Sequence, residues 1–254
     1  MSLLEMERIK LASTRSPWWC AGLAVLLVVG PTALLAINWP AEAGPLPFDF
    51  VTSFTQLGMV VVMVLATIAV TTEYRFGTLR TTFQAAPRRV AVLLAKTAVV
   101  TLAAAVLGAV AGFAAWGTAR LLQPGADLAL DAPERWRAVA GAALTFAVAA
   151  VIALAVGILL RQTAAAVAVL LVWVLLVENL VGVIPTIGPK IQEWLPFTVL
   201  GRFTVVAAAG FGGGDQPPDV AAPPLGPWAS LGYVALIAAG LLALALAVAQ
   251  RRDA

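Results

Sequence analysis

Six stretches almost free of charge, at 18–37, 50–71, 90–116, 138–160, 163–184 and 228–249, take up most of this chain of 254 residues. A helix rises about 1.5 Å per residue, so roughly 20 apolar residues cross a hydrocarbon core of about 30 Å. Lipid offers no partner to backbone N–H and C=O groups, which leaves the α-helix as the natural state of such runs. With 61% hydrophobic and 11% charged residues, little sequence remains for a soluble domain. The expected fold is an all-α membrane protein with six transmembrane helices in one domain over 1–254.

The connections are short, and their chemistry differs by side. Residues 1–16 carry Glu5, Glu7, Arg8, Lys10 and Arg15 among Leu3, Leu4, Met6, Ile9 and Leu11, and read as an amphipathic helix lying on the membrane. A signal-peptide cleavage site is missing there. The long stretch 185–227 contains two moderately apolar pieces, 187–195 and 197–211, split at Pro196. A seventh span from Phe197 would be short and would hold Arg202, so the expectation is a helical hairpin at the outer interface or dipping into the membrane.

With both termini inside, only Arg120, Arg135, Arg137, Lys190 and Arg202 of the sixteen basic residues fall outside, leaving eleven inside. That asymmetry obeys the positive-inside rule, so the net charge of +3 reads as orientation rather than nucleic-acid binding.

The residue inventory also excludes chemistry. A single cysteine, Cys20, and no histidine argue against disulfides and common metal sites. The three lysines, Lys10, Lys96 and Lys190, follow Ile9, Ala95 and Pro189, so no glycine-lysine phosphate loop is present. The expectation is a chain that is not an enzyme and binds neither metal nor cofactor.

Residues 73–89, EYRFGTLRTTFQAAPRR, form a basic segment between the second and third apolar runs. Phe76, Leu79 and Phe83 share a helical face, Gly77 permits a close approach, and Pro87 marks an end. The pattern Glu73-x-Arg75-x-Gly77-Thr78-Leu79-Arg80, followed by Pro87-x-Arg89 and Lys96, resembles the cytoplasmic signature of ABC-2 type permeases, the membrane subunits of ATP-binding-cassette exporters. Glu7-x-x-Lys10-Leu11-x-Ser13-x-Arg15-Ser16 is similar to that family's connecting helix.

The resemblance implies that 72–89 is a coupling segment. It would dock through Glu73, Arg75, Phe76, Gly77, Thr78, Leu79 and Arg80 into a separate cytoplasmic ABC ATPase subunit. It further implies two ATPase copies holding ATP and Mg, a second permease copy as homodimer, and a setting in the lipid of a bacterial cytoplasmic membrane with both termini cytoplasmic. The cargo would be a hydrophobic or amphipathic compound, or a peptide in a resistance system.

Within the outer half, Glu178, Asn179, Trp194, Phe197 and Arg202 are candidates for a cargo path or external gate, because an intramembrane carboxylate is a functional candidate by default. The competing expectation is that Glu178 reaches outer water or pairs with Arg202 or Lys190. Gly108, Gly112 and Gly141 form small-residue faces that serve packing either within one subunit or between two. A channel or secondary transporter without an ATPase partner is the alternative function. It is disfavoured by the lack of a central ionisable residue.

Overall fold

The computed structural model describes residues 3–13, 15–76, 89–185, 187–206 and 225–252. Helix α1 spans Leu3–Ser13 and α2 spans Arg15–Ile37. The short α3, Asp49–Thr52, leads after a break into α4, Thr55–Arg75. Next come α5, Arg89–Leu122, and α6, Pro133–Leu160. Helix α7, Thr163–Gly182, contains a π turn at Val172–Val177. Two short helices come after it, α8 at Gly188–Gln192 and α9 at Pro196–Gly201, and α10 spans Pro227–Arg252. No strand occurs among the described residues.

Six of these helices are long and apolar enough to cross a membrane. The third apolar helix runs to Leu122 rather than stopping near Trp116. Its extra turns are held from the side: Ala119 is buried beside Leu128, and Gln123 donates its amide to the Ala36 carbonyl at 2.7 Å. The fourth starts at Pro133 rather than near Ala138, with Pro at the first helical position and Glu134 in the first turn, both favoured there. Helices outlast their apolar runs at these two ends because helical structure can continue beyond the lipid wherever neighbours pack against it.

Among the side chains of α1 that the structure describes, Glu7 is buried and Ile9 is half exposed.

Helix α6 is central and packs against α4, α5 and α10. Since lipid tails are as apolar as leucine, close packing rather than hydrophobic drive holds such helices together. Gly108 and Gly112 of α5 meet α6 directly: a Cβ at Gly108 would lie 2.3 Å from the Ala142 carbonyl oxygen, and one at Gly112 would lie 2.4 Å from that of Val139. This small-residue face is thus used inside one chain. Gly108→Leu is expected to lower the thermal unfolding midpoint in detergent, with a cost of about 3 kcal/mol, because the obstacle is backbone and cannot swing away. Leu121→Ala, at an exposed position of the same helix, should leave the midpoint nearly unchanged.

Candidate functional site

Four charged side chains from three segments meet at the end of the bundle where α1 lies. Glu7 and Lys10 come from α1, Glu73 from the last turn of α4, and Lys96 from the start of α5. The Lys96 Nζ donates to Glu7 Oε2 at 2.5 Å and to Glu73 Oε1 at 3.0 Å. Lys10 Nζ donates to Glu7 Oε1 at 3.1 Å and to Glu73 Oε1 at 3.3 Å. Acid and base alternate, two of each among these four side chains.

Its burial makes this pairing obligatory. The side chains of Glu7 and Lys96 are 3% and 5% exposed. Removing an ion from water costs several kcal/mol, offset only by a close partner and further hydrogen bonds. Lys10, at 38% exposure, is the member nearest solvent. Burial alone would lower its pKa. The hydrogen bond to Glu7 and the charges of Glu73 and Glu7 outweigh burial and raise it above the ordinary 10.5.

A raised folded-state pKa means that the Lys10 contribution is fully present below 10.5 and is lost as pH rises through the higher folded value. Protection of the α1 amides, taken relative to the exchange rate of an unstructured chain at each pH, is therefore expected to hold up to that pH and to fall above it. In Lys10→Met this alkaline step should be absent.

The cluster grips both stems of the segment that separates α4 from α5. Glu73 stands three residues before Phe76, and Lys96 stands seven residues after Arg89. Arg75 and Phe76 are exposed, with the guanidinium 5.5 Å from the ring centroid, and the Phe76 N–H closes α4 on the Thr72 carbonyl at 2.9 Å. Gly77, Thr78, Leu79 and Arg80 lie outside the described residues, as does the side chain of Arg15.

The start of α7 joins the same end. Thr163 donates its hydroxyl to that of Thr71 at 2.8 Å, and the Arg161 guanidinium lies 5.0 Å from the Tyr74 ring. Arg161 itself caps α6 at φ 55, a left-handed conformation costing roughly 1–2 kcal/mol for a residue with a Cβ. That turn lets two residues connect antiparallel helices.

At the opposite end, Glu178 is buried, and its carboxylate accepts four hydrogen bonds. The donors are Trp173 Nε1 at 3.1 Å, the Phe197 N–H at 3.0 Å, the Thr198 N–H at 2.6 Å and the Thr198 hydroxyl at 2.8 Å. Two of these are the orphan amides at the start of α9, whose capping residue Leu195 has no side-chain oxygen to offer. Glu178 caps that helix from another segment. The π turn just before it inserts an extra residue and rotates the last turns of α7 by roughly 100°.

Arg202 and Lys190 are not among the partners of Glu178. Arg202 donates only a long bond, 3.4 Å, to the Glu193 carbonyl, and Lys190 is exposed. Asn179 bonds back to the Leu175 carbonyl of its own helix at 3.0 Å. Trp194 accepts from the Tyr233 hydroxyl at its carbonyl and meets that ring edge-on at 6.0 Å. Phe197 is buried in the main core.

Two further residues, Arg137 and Asp49, hold the other end of this piece. Arg137 donates to the carbonyls of Phe203 and Val205, the latter at 2.7 Å, and Asp49 accepts the Val206 N–H at 2.8 Å. Between these pins the Phe203 ring presses on Gly141, where a Cβ would lie 2.7 Å away. The sequence signal is slight: an arginine and an aspartate, each immediately before an apolar run.

The arrangement defines an all-helical, multi-pass membrane protein with an ionic knot at one end and a pinned helical hairpin at the other. Comparison with known protein families and with curated proteins finds no match.

Proposed function

We propose that this chain is the membrane-spanning permease subunit of an ABC exporter. It would move a hydrophobic or amphipathic compound, such as a drug, antibiotic, lipid or lipid-linked glycan, out of the cell. ATP hydrolysis on a separate subunit supplies the energy, and two such subunits serve a permease homodimer in a bacterial cytoplasmic membrane. The knot end faces the cytoplasm, in keeping with the excess of basic residues on that side.

The observation that carries this reading is the buried cluster of Glu7, Lys10, Glu73 and Lys96. It ties α1 to both stems of the 77–88 segment, so a displacement of that segment by a cytoplasmic partner reaches the second and third spans together. A channel or ion-coupled transporter would call for an ionisable group in mid-membrane. Among the described residues, charged side chains on the spans stand near their ends.

The test is purification of the tagged chain in mild detergent, with identification of co-purifying protein and assay of ATPase and export activity. A stoichiometric ATPase is expected. In the double variant Gly77→Trp, Thr78→Trp, hydrolysis should continue while export stops. Unaltered export in that variant, or a chain that purifies alone where comparable complexes survive, overturns the proposal.

A further inference from the structure

Asn179 lies on the outward face of α7, among the exposed side chains of Leu175, Leu176 and Leu180. Lipid offers a carboxamide no partner, so its hydrogen bonds have to come from the protein. They run back into its own helix. Nδ2 donates to the Leu175 carbonyl at 3.0 Å and reaches that of Val174 at 3.5 Å. Both carbonyls belong to the π turn at Val172–Val177. A leucine would suit that face better. What the amide gives in return is in the backbone ladder, where an inserted side chain holds the wider turn open.

The register of that turn is written in two bonds, each spanning five residues. The Glu178 N–H donates to the Trp173 carbonyl, and the Trp173 indole donates to Glu178 Oε1 at 3.1 Å. In an α-helix, residues five apart are turned about 140° from one another, and their side chains do not meet. The π turn takes in one extra residue and brings the two onto one face.

Contacts that fasten α8 and α9 to α7 lie just past that turn. The Glu178 carboxylate caps α9 at the Phe197 and Thr198 amides. Gln192 of α8 donates to the Glu178 carbonyl at 3.0 Å and lies over Gly182, where a Cβ would fall 2.4 Å from its Oε1. Were the same residues to run on as α-helix, Glu178 and Gly182 would turn away by about 100°. A change one residue in size thus undoes both attachments together.

We infer that α7 is a two-register element and that Asn179 is its positioning residue. With the amide inserted at Leu175 and Val174, the π register stands and Glu178 holds α9. Without it the turn tightens to α, Glu178 swings away and the hairpin is released. The two registers differ by a whole residue, so the outer end switches rather than flexes. Any motion that turns the outer part of α7 about its axis is read out as release of the hairpin.

The experiment is hydrogen exchange of the full chain in mild detergent, read at 197–201, the backbone that Glu178 caps. Asn179→Leu, which matches its exposed neighbours, is expected to speed exchange there about tenfold, the scale of one lost hydrogen bond. Deleting Leu175, itself exposed, removes the extra residue. The α register then aims Glu178 at α9 unaided, and exchange should stay at the wild-type rate. In that deletion background Asn179→Leu should change nothing. In Glu178→Leu it should likewise add nothing, since the cap through which it acts is already gone. This second pair decides the matter where the shortened chain does not fold.

Unchanged exchange in Asn179→Leu, equal acceleration with and without Leu175, or the same acceleration on top of Glu178→Leu overturns the assignment. So does a folded deletion variant whose α9 exchanges as fast as that of Glu178→Leu. Neither ATP nor cargo enters the measurement, so its outcome is separate from that of the exporter proposal.

Discussion

Lys96→Met is expected to destabilise the protein by about 3–5 kcal/mol, the usual cost of leaving a buried charge without its partner. The substitution removes the 2.5 Å and 3.0 Å contacts that Lys96 makes with Glu7 and Glu73. Lys10 reaches them at longer distances from a more exposed position and cannot replace both bonds. The thermal midpoint in detergent should fall, and hydrogen exchange should accelerate first in α1. The double variant Glu7→Gln, Lys96→Met should recover part of the loss, since the strongest uncompensated charge is then gone. A double variant no more stable than Lys96→Met would show that the pairing of Glu7 with Lys96 is not what matters.

Glu178→Leu carries the second large effect. It strips acceptors from the Phe197 and Thr198 amides, the Thr198 hydroxyl and the Trp173 indole in one step. Each buried donor left unsatisfied costs about 1–3 kcal/mol, and relaxation of the short helix recovers some of it. Exchange at 196–206 should rise well before global unfolding, because α9 loses its N-terminal cap while Arg137 and Asp49 still hold the far end. Glu178→Gln keeps one acceptor oxygen and should fall between wild type and Glu178→Leu. Unchanged exchange in Glu178→Leu would mean that the hairpin is held by packing of Phe197, Leu200 and Phe203 alone. If the exporter reading holds, the same variant should also leak or stall at the outer side.

The six membrane helices were legible because charge is scarce inside each run, and a bilayer enforces that scarcity. Their ends were less legible. Gly117 and Thr118 look like a natural stop after Trp116, yet α5 continues because Ala119 and Gln123 find partners on other segments. The Gly108 and Gly112 face was visible as a pattern, but which helix it meets depends on Ala142 and Val139, and no local rule names them.

The site was legible in part. Glu7, Lys10, Glu73 and Lys96 all belong to the motifs singled out in the sequence, but their convergence on one another is a long-range fact that spacing does not encode. Glu178 stood out as a carboxylate in an apolar run, and its obvious partners were the nearby cations. The structure satisfies it with an indole, a hydroxyl and two backbone amides instead, and a sequence cannot advertise the amides because every residue but proline has one. The π turn that re-aims it carries neither glycine nor proline as a marker.

The separation of 89 residues between Glu7 and Lys96 has a temporal side. A chain made from its N-terminus exposes Glu7 long before its partner exists, and Glu73 likewise precedes Lys96 by 23 residues. Through the synthesis of the first two spans, two carboxylates wait beside Lys10 without Lys96. Only when the head of the third span arrives can α1 be sealed. The knot thus records completion of the first half of the protein, and an N-terminal helix that remains accessible on a nascent chain marks one whose third span has not yet been placed.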